Sequence, residues 1–100
     1  MAVHTKIRKV FDDQNSCIYE LSSDLVNKNC FATINKSNQI IYFHTQKTDG
    51  RPIFTYELNN AEDKKMPADK EYRLLIIHTL QKLIPAIKKG IFPQYLDKCS

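Results

Sequence analysis

The sequence predicts an α+β domain: an antiparallel β-meander of three to four strands, covered on one face by a long C-terminal helix. Three observations carry this. Between Asn29 and Leu58, NCFATIN, QIIYFHTQ and PIFTYEL are β-rich runs separated by turn residues. Asp49-Gly50 stands between the second and third runs, a two-residue hairpin signal because both positions tolerate positive φ. From Tyr72 onward, Ile76, Leu80, Leu83, Ile84 and Ile87 recur at helical spacing.

At 100 residues and 11.7 kDa the chain makes one domain, 1–100, with one hydrophobic core. It is 42% apolar and 26% charged, a composition that folds. Its glycines, Gly50 and Gly90, stand too far apart to form a glycine-rich phosphate loop. No apolar run approaches the roughly 20 residues of a membrane span. The opening MAVHTKIRKVF does not read as a signal peptide, so no membrane partner is expected.

The first 28 residues carry two patterns. Val3, Ile7, Val10 and Phe11 are spaced as on a helix, and a short N-terminal helix is expected there. Cys17, Tyr19 and Leu21 alternate, which predicts a fourth strand joining the sheet.

In the meander, a type I′ turn at Asp49-Gly50 pairs Thr48 with Arg51, Thr45 with Phe54, Phe43 with Tyr56 and Ile41 with Leu58. A turn centred on Ser37-Asn38 pairs Ile34 with Ile41 and Ala32 with Phe43. Both registers then agree on the faces. Cys30, Ala32, Ile34, Ile41, Phe43, Thr45, Phe54, Tyr56 and Leu58 share an almost wholly apolar face. Phe31, Thr33, Asn35, Ile40, Tyr42, His44, Ile53, Thr55 and Glu57 share a mixed one.

The helix covers the apolar face. Met66-Pro67-Ala68-Asp69 opens it, with acids favoured in its first turn, and Lys88, Lys89 and Gly90 close it. Pro85 forfeits one backbone bond, so a kink or break near Gln81 is expected. Leu74 and Leu75 fall off the apolar stripe, and His78 lies opposite it, toward solvent. The tail Ile91–Leu96 is apolar after the helix stop and is expected to fold back onto the core.

These placements bear on chemistry. Cys17, Cys30 and Cys99 are odd in number, widely spaced and without a C-x-x-C, which fits reduced thiols in a cytoplasmic setting. Cys30 and His44 would be a nucleophile and base, but the pleat sends them to opposite faces. His44 and His78 likewise fall on far sides, which disfavours a two-histidine metal site. The acidic pairs Asp12-Asp13 and Glu62-Asp63 lie in polar stretches that cannot separate an acid from a base. No catalytic residue, cofactor or metal ligand is therefore expected.

The mixed face is the best candidate surface. Phe31, Tyr42, His44, Ile53 and Thr55, with Leu74 and Leu75 on the helix, would form the dry centre of a protein interface. The expectation is a non-enzymatic protein-binding domain of the inhibitor, immunity or adaptor kind, with a homodimer as one form. The alternative is an RNA- or single-strand-binding module in which Arg51, Lys82, Lys88 and Lys89 meet phosphate and the sheet aromatics stack bases. Net charge is only +4, with 15 basic residues against 11 acidic, and the meander's mixed face offers no cation. A small enzyme centred on Tyr42, His44 and Glu57 ranks last. Burial of the mixed face beneath the N-terminal segments would remove it from function altogether.

Overall fold

A computed structural model describes residues 4–23, 26–45, 51–58 and 67–99. The strands are β1 (His4–Asp12), β2 (Ser16–Ser23), β3 (Val26–Asn35), β4 (Ile40–His44), β5 (Phe54–Glu57) and β6 (Tyr95–Cys99). The helix α1 (Lys70–Lys88) lies between the last two. They form one antiparallel sheet of six strands in the order β5-β4-β3-β2-β1-β6, with α1 packed on one face. The class is α+β, with a wider sheet than the three to four strands expected.

The added width comes from both ends of the chain. The expected N-terminal helix is instead β1, which pairs with β2 from Thr5↔Ser23 to Asp12↔Cys17. A β-bulge between Lys9 and Phe11 turns Phe11 to the face opposite Ile7. That extra residue breaks the two-residue alternation and imitates helical spacing. The apolar tail also becomes a strand: β6 pairs with β1 from His4↔Cys99 to Arg8↔Tyr95. Before it, Phe92 packs against the core, as does Leu96 within it, so the tail does fold back.

In the meander the β3–β4 register is the expected one, Ile34↔Ile41 and Ala32↔Phe43. The Asn35 side chain shapes that turn by accepting the Ser37 amide at 3.0 Å. Between β4 and β5 the observed pairs are Phe43↔Phe54 and Ile41↔Tyr56, displaced by two residues from expectation. A displacement of two preserves the faces, because side chains alternate with a period of two. The Asp49-Gly50 turn itself lies outside the described residues.

The buried face of the sheet holds Ile7, Cys17, Tyr19, Leu21, Cys30, Ala32, Ile34, Ile41, Phe43 and Phe54. Thr45, expected there, is exposed beyond the end of β4. Across from these residues α1 contributes Leu75, Ile76, Leu80, Leu83 and Ile87. Asp69 caps the helix, its carboxylate accepting the Glu71 amide at 2.9 Å. At the other end Lys89 is the C-cap and Gly90 follows at φ 73°, the left-handed position that glycine fills without strain. The helix runs unbroken through Pro85, which is exposed.

Two helix positions differ from expectation for one reason. Leu75 is fully buried, and His78 is 6% exposed rather than turned to solvent. A sheet widened by β1 and β6 passes beneath more of the helix circumference, so its buried sector outgrows the stripe visible in sequence.

Candidate interaction face

The pleat that buries one side of each strand presents the other side, and no described element lies over it. The registers arrange the central part of this helix-free face in two cross-strand rows. One row runs Thr55, Tyr42, Thr33, Ile18, Phe11 across β5 to β1. The next runs His44, Phe31, Glu20, Arg8, Tyr95 across β4 to β6. Beyond them Ile40 pairs with Glu57, and Ser22 and Lys6 pair side by side.

Phe31, Tyr42, His44 and Thr55 therefore stand on this face as expected, each half-buried among its neighbours. Phe11 and Tyr95 add two rings, 46% and 47% exposed. The Tyr42 and His44 rings are neighbours, with centroids 6.4 Å apart. Three of the expected contributors stand elsewhere. Ile53 precedes β5 and packs against the core; Leu75 is inside the core; Leu74 is half-buried on α1, on the other layer. Sequence reading missed Phe11 and Tyr95 because their segments were not recognised as sheet, and Ile18 because the expected strand around Cys17–Leu21 was given no register against β3.

The charges are redistributed as well. Lys82, Lys88 and Lys89 are exposed on the helix layer, and Arg51 lies before β5. None of the three lysines shares a layer with the aromatic rings. Instead β1 brings Lys6 and Arg8 onto the face, where they line a depression of about 300 Å³ with Glu20, Ser22 and Tyr95. Arg8 donates to Glu20 at 3.0 Å. Against two cations the face sets Glu20 and Glu57, and Asp97 holds the register position beside Lys6. Both signs of charge stand on this face.

Lys9 and Lys36 are engaged at one end of the sheet. Lys36 Nζ donates to Asp12 at 2.5 Å and to the Asp13 carbonyl at 2.6 Å, while lying over the Phe92 ring. Lys9 donates to Asp12 and to the Phe92 carbonyl. Lys36, then Lys9, holds the Asp12 carboxyl below its ordinary range.

The reactive groups are kept apart. Cys30 is fully buried, and burial pushes its thiol up to about 12, while His44 stands on the other face. Burial also pushes the Cys17 thiol up to about 11. His78 lies in the helix layer, with the sheet between it and His44. Glu57 pairs with Ile40, four residues before His44, which sets them about 13 Å apart along the strands. Among the described residues no group of three or more His, Cys, Asp or Glu side chains is placed to hold a metal ion. No described helix is long and apolar enough to cross a membrane.

Comparison with protein-family models, with curated proteins and with solved structures gives no match to this chain.

Proposed function

We propose that this chain is a non-enzymatic protein-binding domain, of the inhibitor, immunity or adaptor kind, whose working surface is the helix-free face of the sheet. One observation carries the reading: among the described residues the six-stranded sheet is backed by a helix on one side only, with Phe11, Phe31, Tyr42 and Tyr95 on the other. Rigid aromatic rings supply contact area at low entropic cost and dominate protein interfaces, while charge at such centres is sparse or paired. The Arg8–Glu20 pair fits that pattern. The separation of Cys30 from His44, and of His44 from Glu57, supports a role without catalysis. Free, buried Cys17 and Cys30 suit a reducing, cytoplasmic setting.

A second reading is favoured by Lys6 and Arg8, which stand beside Tyr95 as an RNA- or single-strand-binding surface would require. Two cations set among carboxylates make a poor phosphate track, so this reading ranks below the first.

Capture experiments on nuclease-treated lysate, with wild type and the Phe31→Ala/Tyr42→Ala variant in parallel, test the proposal. A partner retained by wild type in high salt and lost by the folded variant supports it. Equal capture by both proteins would overturn it, and a partner captured only when the nuclease is omitted, and lost on modest addition of salt, would favour nucleic acid.

A further inference from the structure

We propose that the outer side of α1 rests on an anionic lipid surface. Charge is the first ground. From Lys70 to Lys89 the chain carries Lys70, Arg73, Lys82, Lys88 and Lys89 against Glu71 alone. That stretch holds the whole of the chain's net charge of +4, and the remainder is neutral in sum. All five cations are exposed, whereas Glu71 is half-buried. Arg73 donates to the Pro67 and Ala68 carbonyls at 3.3 Å. Among the described residues no carboxylate pairs with any of the five. A field of one sign, uncompensated nearby, attracts an anionic partner.

Shape and side-chain character select that partner. Lys70, Leu74, Ile77, Gln81, Pro85 and Lys88 follow one another at three or four residues and so form one line along the helix. Leu74 is half-buried, Ile77 is 37% exposed and Pro85 is exposed. Nineteen helical residues make the line about 28 Å long. The sheet lies behind it, and among the described residues no other element shares this layer. The line is therefore a convex crest. A crest touches a plane along its whole length, whereas a protein partner would have to supply a matching groove. Aliphatic side chains set between lysines enter the headgroup boundary while the lysine heads stay at the level of lipid phosphate. A single-stranded nucleic acid needs aromatic rings beside its cations, and the exposed rings of Phe11 and Tyr95 stand on the sheet's other face. No described helix is long and apolar enough to cross a bilayer, so the contact is with the surface alone. It leaves the helix-free face open and stands apart from the protein-binding reading.

Co-sedimentation with vesicles tests it, using phosphatidylcholine alone and phosphatidylcholine with about 30% phosphatidylserine. Wild type should pellet with the anionic vesicles, stay behind with the uncharged ones, and come off as salt is added. Lys82→Gln/Lys88→Gln should bind about 25-fold more weakly, because each cation at an anionic surface adds about five-fold. Ile77→Ser leaves the charge unchanged and should bind several-fold more weakly. Phe31→Ala/Tyr42→Ala, on the opposite layer, should bind vesicles as wild type does. Urea melts confirm that each variant is folded. A wild type that stays behind with anionic vesicles overturns the proposal, including one that binds an oligouridylate or polyglutamate instead. So does equal binding to both kinds of vesicle, or a folded Lys82→Gln/Lys88→Gln variant that binds as wild type does. None of these results touches the protein-binding reading, which falls only if the Phe31→Ala/Tyr42→Ala variant captures a partner as wild type does.

Discussion

The Nδ1 atom of His78 lies 2.7 Å from the Thr5 hydroxyl, joining the middle of α1 to the start of β1 inside the core. Thr5 is fully buried and His78 is 6% exposed. Two polar side chains far apart in sequence each make the other's burial tolerable, and the helix is tied to the strand that widens the sheet.

Thr5→Val keeps the branched shape and deletes the oxygen. It deprives the buried ring nitrogen of this partner, and the expected cost is about 1–3 kcal/mol. Urea denaturation checks this: the midpoint should fall at unchanged slope. An unchanged midpoint would show that the contact contributes nothing.

Tyr42 and Phe43 are chain neighbours on opposite faces, and their alanine variants should part company. Phe43 is fully buried, with its ring centroid 6.0 Å from that of Phe54, so Phe43→Ala should cost about 3–5 kcal/mol. Tyr42→Ala, on the half-buried face, should cost about 1 kcal/mol or less. Equal losses in a thermal or urea melt would mean that both faces are core.

Pro85 leaves the Gln81 carbonyl without its helical donor. Replacing it by alanine restores a donor at an exposed site, and Pro85→Ala should stabilise the protein by about 1–3 kcal/mol. A higher melting temperature with stronger far-ultraviolet helical signal is the expected result.

The buried thiols make stability fall in alkali. Cys17 and Cys30 are held at about 11 and about 12 when folded, against 9.0 for an ordinary thiol, with burial as the first cause. Between those values the unfolded chain has released protons that the native chain keeps, so unfolding is favoured as pH rises. Burial raises the Tyr19 phenol as well, and its hydroxyl donates to the Pro93 carbonyl at 2.6 Å. Urea midpoints measured upward from pH 9 should decline, and the decline should shrink in Cys17→Ala/Cys30→Ala relative to that variant's own midpoint at pH 8.

The faces of the meander were legible because period-two alternation survives error. The β4–β5 register moved by two residues, yet Phe43 and Tyr42 stayed on their sides. The helix was legible through its stripe, its Asp69 cap and Gly90. β1 was hidden. Its core-facing positions Thr5 and Lys9 are polar, accommodated by His78 on α1 and by the Phe92 carbonyl, partners that no local pattern reveals. The bulge after Lys9 then supplied a false helical spacing. β6 was hidden because YLDKC carries little alternation, and pairing with β1 decides its structure. Losing those two strands removed Phe11, Lys6, Arg8 and Tyr95 from the candidate site, while Phe31, Tyr42, His44 and Thr55 came from the legible part.

One side of the sheet is core, and the other is the proposed working surface. Phe31→Glu/Tyr42→Glu places two charges on that second side, and its urea midpoint beside wild type is the most direct measurement. A loss within about 2 kcal/mol, with partner capture abolished, is the predicted result. Collapse to an unfolded chain without urea would contradict it, by showing that these rings are interior.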